Sequence, residues 1–120
     1  MNLVKKILIA EDELLIAKVL RMQLEKLGYE VQNVVDSHQA ISSALEFKPD
    51  LIILDVFLKN NTTGIDSAMK IRELGINTPI VFTTGNSYDD TIEFVSKIQY
   101  SMILSKPVEF EHLLQLIEDF

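Results

Sequence analysis

Two hydrophobic rhythms alternate along the chain. Short apolar runs bounded by turn residues read as strands buried on both faces, and stretches with apolar residues every three or four positions read as helices. The runs are Ile7 to Ala10, Glu30 to Val35 (shorter and more polar), Leu51 to Leu54 closing on Asp55, Ile80 to Thr84, and Ser101 to Leu104. Between them, Ile16, Leu20, Leu24 and Leu27 are expected on the inner face of a first helix that stops at Gly28. A second helix, capped by Asp36 or Ser37, presents Ala40, Ile41, Ala44 and Leu45, and closes at Lys48-Pro49. A third begins with Ile65, Ala68 and Met69 and ends near Gly75. Gly85-Asn86-Ser87 reads as a turn and Tyr88 as a loop aromatic, before a short helix with Ile92, Val95 and Ile98. Phe110, Leu113, Leu114 and Ile117 give the last helix an i, i+3, i+4, i+7 stripe.

Strand and helix thus alternate five times. The expected fold is α/β: a flavodoxin-like, three-layer, doubly wound (βα)5 domain whose parallel five-stranded sheet has the order 2-1-3-4-5. With 120 residues and 48% apolar composition, one domain spanning 1–120 is expected. The chain is either a complete small protein or a domain of a longer one.

Composition narrows the chemistry. The absence of cysteine excludes disulfides, thiol catalysis and thiolate metal sites, and two histidines are too few for a His-rich one. A net charge of −7 argues against non-specific nucleic-acid binding, which relies on lysine and arginine. No apolar run reaches transmembrane length, so no membrane association and a cytoplasmic location are expected.

Parallel strands put their carboxyl ends on one edge, where ligands bind in open sheets. That edge would gather Glu11 and Asp12 from the first strand, Asp55 from the third, Thr84 from the fourth and Lys106 from the fifth. Crowded carboxylates repel, and a hard divalent cation such as Mg²⁺ removes the conflict. Lys106 suits a phosphoryl oxygen and Thr84 offers a hydroxyl. Together these point to phosphoryl transfer with Asp55 as nucleophile. Glu13, by contrast, reads as a helix-start acid serving the helix dipole.

The chain resembles a response-regulator receiver domain, the family of the bacterial chemotaxis regulator, over essentially its whole length. The residues that carry this are Ile7 to Asp12, Leu51 to Val56, Pro79 to Gly85 and Lys106-Pro107. The resemblance implies phosphorylation of Asp55 by a histidine kinase or phosphotransfer protein. It also implies direct Mg²⁺ binding by Asp12, binding by Glu11 through water, and a backbone carbonyl ligand from Phe57. Thr84 and Lys106 would contact the phosphoryl group. The regulated surface would be the fourth helix, fifth strand and fifth helix, acting on a downstream protein or a linked output domain; a homodimer is left open. The domain is expected to catalyse only its own phosphorylation and dephosphorylation.

The chain departs from the family pattern in places. Ile103 stands where an aromatic is usual, with Tyr100 and Phe82 as the aromatics available instead. Lys59 replaces a common proline, Gly64 comes one position late, and Gln99-Tyr100 replaces a small pair. The longer Lys59–Asp66 loop resembles that of receivers attached to sensor or hybrid kinases. Two other readings compete. One is a degenerate receiver binding partners independently of phosphorylation. The other is a phosphatase of the haloacid-dehalogenase type, which would need an acid where Phe57 stands.

Overall fold

The computed structural model describes residues 3–85 and 89–120, without the side chains of Asp89 and Asp90. Asn86, Ser87 and Tyr88 lie outside the described residues. The strands are β1 (Lys6–Ala10), β2 (Glu30–Val34), β3 (Leu51–Asp55), β4 (Ile80–Thr84) and β5 (Ser101–Ser105). The helices are α1 (Leu14–Lys26), α2 (Ser37–Glu46), α3 (Gly64–Glu73), α4 (Asp89–Ser96) and α5 (Phe110–Glu118). All strand pairs are parallel, in the order β2-β1-β3-β4-β5.

Side chains alternate across the pleat, so each inner strand feeds two cores. Leu8, Ala10, Ile52, Leu54, Ile80 and Phe82 pack with Ala40, Ala44, Ala68, Ile71 and Val95 from α2, α3 and α4. Ile7, Ile9, Leu51, Ile53 and Val81 pack on the opposite side with Leu24, Leu113 and Ile117 from α1 and α5. Every residue of β3 and β4 is buried, whereas β2 and β5 are the partly exposed edges. Asp36 caps α2 by accepting from the Gln39 N–H at 2.8 Å, and Thr63 caps α3 by accepting from that of Asp66 at 3.1 Å. Gly28, with φ +96°, ends the first helical segment in the left-handed region.

The phase of α1 differs from the expectation. Its inward positions are Ala17 and Leu24, with Leu20 packed at their margin. Ile16 and Leu27 are 46% and 54% exposed. Apolar residues surround much of this helix, Leu14, Leu15, Val19 and Met22 included, so the 3.6-residue rhythm does not select one face. Leu45, also expected inside, is exposed, as are Met69 and Ile92; Ala44, Ala68 and Val95 face the core beside them. Glu13 is the N-cap of α1 without a side-chain capping bond.

The revised phase makes a measurable distinction. Leu24→Ala should cost roughly 2–5 kcal/mol of stability, and Ile16→Ala less than about 1 kcal/mol, in urea denaturation followed by circular dichroism. Equal losses would contradict the observed orientation of α1.

Candidate functional site

Leu54 and Asp55 are the last residues of a wholly buried strand, so the Asp55 carboxylate emerges at the rim of the sheet, 5% exposed. Glu11 and Asp12 follow β1, the neighbour of β3. Among the described residues, Glu11, Asp12 and Asp55 each offer a carboxylate oxygen within 4.8 Å of the others. Lys106, just past β5, reaches across β4 into this group. Its Nζ donates to Asp55 Oδ2 at 2.6 Å and to Glu11 Oε1 at 3.1 Å. The Lys106 N–H also donates to the Thr84 carbonyl at 2.8 Å, which fixes where the side chain starts. Thr84 is fully buried at the end of β4, one residue beyond Thr83, the register partner of Asp55.

Phe57 is held by a small hairpin. It forms an isolated antiparallel bridge with Thr63, flanked by bonds from Leu58 N–H to Thr62 O (3.0 Å) and from Gly64 N–H to Val56 O (2.8 Å). Phe57 and Thr63 are therefore a non-hydrogen-bonded pair, and both backbone groups of Phe57 face away from Thr63. The N–H uses this freedom to donate to Asp55 Oδ1 at 3.1 Å, and the pleat leaves the carbonyl on that same side. Gly64 must be glycine for a reason that spacing alone does not reveal: a Cβ there would lie 2.2 Å from the Asp55 carbonyl oxygen.

The electrostatics follow from burial and like charge. Burial and the neighbouring Asp55 raise the Glu11 pKa from 4.5 to about 7, against the pull of Lys106. Burial pushes Lys106 down, but its bonds to Asp55 and Glu11 outweigh this and leave its pKa raised. One ammonium thus offsets part of the charge of three acids. The remaining donors are all hard oxygens, with no thiolate or imidazole among them, and this set fits Mg²⁺.

An apolar cavity of about 640 Å³ opens beside the cluster, between α1 and α5. Glu11 and Lys106 form its polar end; Leu15, Ile16, Val19, Val108 and Phe110 line its walls. Leu15, Ile16 and Val19, exposed on α1, belong to this wall. The sequence rhythm hid it, because a helix facing a groove and one facing a core carry the same residues.

Of the aromatics available instead of one at Ile103, Phe82 is its register partner on β4, and Tyr100 lies before the start of β5. Phe82 is fixed in the core at zero exposure. Tyr100 precedes β5 at the opposite edge of the sheet, 62% exposed. Ile103 itself packs against the core beneath α2, α3 and α4.

Five parallel strands with acids on the first and third ends and a lysine after the fifth define a doubly wound domain with an acidic site at the carboxyl edge of its sheet. The family model for the response regulator receiver domain matches residues 7–118, and the chain belongs to that family. The transcriptional regulatory protein PdtaR of Mycobacterium tuberculosis is 36% identical over 115 residues, covering 95% of this chain and 55% of the relative. The response regulator ArlR of Staphylococcus saprophyticus is 35% identical over 114 residues, covering 93% of this chain and 50% of the relative. The chain thus spans about half the length of these relatives. Among solved structures, a two-component response regulator from Clostridium difficile superposes with TM-score 0.89 at 27% identity, covering 96% of this chain and 93% of that one. The chemotaxis protein CheY4 of Vibrio cholerae gives 0.87 at 25% identity, covering 97% and 98%. Receiver domains are signalling modules of two-component response regulators rather than metabolic enzymes.

Two measurements test the site. Because the folded pKa of Glu11 lies above its unfolded value, its contribution to stability is complete below about pH 4.5 and is lost as pH rises through about 7. The chelated wild-type chain should therefore lose urea resistance across that window, and Glu11→Gln should flatten this part of the profile. Gly64→Ala should shift the Asp55 backbone and cost on the order of 2 kcal/mol or more. An unchanged denaturation midpoint would contradict the close approach.

Proposed function

We propose that residues 1–120 act as a single receiver domain that accepts a phosphoryl group on Asp55 from a histidine kinase or phosphotransfer protein. The observation that carries this reading is Lys106 Nζ between Asp55 and Glu11, at 2.6 and 3.1 Å, beside a third acid. An Asp55 carboxylate oxygen attacks phosphorus, the O–P bond forms as the P–N bond of the phosphoimidazole breaks, and the imidazole leaves carrying its proton. Lys106 is positioned to pair with a phosphoryl oxygen once the carboxylate is esterified, and the Thr84 hydroxyl is the second donor at this edge. Glu11, Asp12, Asp55 and the Phe57 carbonyl are the groups that would hold Mg²⁺, which neutralises charge on the transferring phosphoryl oxygens.

The donor protein must present its histidine at this rim, and the apolar cavity between α1 and α5 opens there. We assign that groove to the phosphodonor and the α4, β5 and α5 side to a downstream target or linked output domain. The domain itself binds no nucleic acid, does not enter a membrane and works in the cytoplasm. Among the described residues, no helix is long and apolar enough to cross a membrane. The phosphorylation-independent reading rests on Ile103 and the longer loop. It is less well supported, because neither departure removes a member of the acid–lysine set.

With Mg²⁺ and acetyl phosphate or phosphoramidate, mass spectrometry of the intact chain should show the gain of one phosphoryl group, absent in Asp55→Asn and without chelated Mg²⁺ being restored. Lys106→Ala should slow its formation on the order of 10²-fold. No mass gain in the wild type would overturn the assignment of Asp55.

A further inference from the structure

The β3–α3 loop is bolted to the end of β2. Asn60 and Asn61 have φ of +61° and +56°, and the Thr62 N–H donates to the Lys59 carbonyl at 3.2 Å. Two left-handed central residues closed by that bond are the signature of a type I′ turn, which Asn tolerates better than other side chains do. The hairpin it closes is the one whose bridge orients Phe57.

Three contacts fasten this hairpin to the β2–α2 corner. The Lys59 N–H donates to the Val35 carbonyl at 3.1 Å. Asn60 Nδ2 donates to Asp36 Oδ2 at 3.3 Å. The Ser37 N–H donates to Thr62 Oγ1 at 3.1 Å, and that hydroxyl donates to the Lys59 carbonyl at 2.6 Å. The residue before Val35 grips the other half of the site, since the Val34 carbonyl accepts from the Glu11 N–H at 3.0 Å. Successive carbonyls at one strand end thus hold the segment bearing Glu11 and Asp12 on one side and the segment bearing Phe57 on the other.

We propose that Thr62 and the Asn60-Asn61 turn are positioning residues for the divalent cation: pinned to Val35, Asp36 and Ser37, they set the spacing between the Phe57 carbonyl and the Glu11–Asp12 pair. This rests on the metal-site reading above. The spacing matters more for Mg²⁺ than for Ca²⁺. Mg²⁺ demands near-ideal octahedral geometry at short distances, whereas Ca²⁺ accepts longer and irregular ones. Loosening the hairpin therefore changes selectivity, which a loss of general stability does not.

The test is calorimetric titration of the whole chain with MgCl₂ and separately with CaCl₂, each variant first melted in chelator. Thr62→Val keeps the side chain's shape and removes its hydroxyl; Asn61→Val places a β-branched residue at positive φ. Each should weaken Mg²⁺ binding about tenfold and Ca²⁺ binding about twofold or less. Thr62→Ser and Asn61→Gly, which restore the hydroxyl and the turn, should bind both cations as the wild type does. If one valine variant does not fold, the other pair carries the comparison. Equal losses for both cations, or Mg²⁺ affinity unchanged in the folded valine variants while Asp12→Asn abolishes it, overturn the role of the hairpin and leave the metal site standing. A wild-type chain that binds neither cation overturns both readings.

Discussion

Three carboxylates and one ammonium share a rim of the sheet where little water reaches them, and the arrangement of the strands answers to that constraint. An unpaired buried charge is costly, and like charges at this distance raise the cost further. Lys106 relieves part of it, bonding Asp55 and Glu11 at once. Glu11 relieves more by holding its proton to about pH 7. A residual demand for positive charge remains, and the hard oxygens around it are the donor type that suits a small divalent cation. The order β2-β1-β3-β4-β5 is what makes this possible. It sets the two acid-bearing strands side by side and leaves one strand, ending on Thr84, between them and the lysine.

Backbone groups carry much of the positioning. The Thr84 carbonyl fixes Lys106, the Phe57 N–H orients Asp55, and the Val34 and Val35 carbonyls hold the flanking loops. Gly64 permits the α3 start to lie against Asp55 itself, closer than any side chain would allow. Three of these contacts pair a main-chain donor with a main-chain acceptor, and the Phe57 N–H is paired with the Asp55 side chain. The acids can thus be held near one another at a cost that the sheet's two cores absorb.

The strands and the edge residues were legible because parallel-sheet physics leaves local marks. An inner strand must be apolar on both faces, so Leu51 to Leu54 declares itself, and a carboxylate directly after it has only the rim to occupy. The phase of α1 was not legible, because Leu14, Leu15, Ile16, Val19 and Met22 spread apolar residues around most of the helix and leave more than one candidate inner face. The exposure of Leu15, Ile16 and Val19 reflects a groove, a tertiary feature without local signature. The Asn60-Asn61 pair did carry a turn signal, but its anchors at Val35 and Ser37 are main-chain groups, silent in any sequence. The shift at Glu11 likewise depends on burial, which a residue type does not report.

The acidic rim is anchored differently toward β5 and toward β2. Toward β5, Thr84 and Lys106 are joined by a main-chain bond, and Ile103 is wedged in the core instead of sitting as a ring free to turn. The far end of β5 is clasped: the Arg72 guanidinium donates to the Gln99 carbonyl at 2.8 and 3.1 Å and to that of Ile76 at 2.9 Å, with the Tyr100 ring stacked 5.9 Å away. The bonds to Gln99 hold the start of β5 to α3. Toward β2, the hairpin and the Asp36–Ser37 corner are linked by several single bonds between exposed or half-buried groups, each worth about 1 kcal/mol and separable one at a time. Of these two sides of the rim, the β3–α3 hairpin is the one held by the more separable bonds.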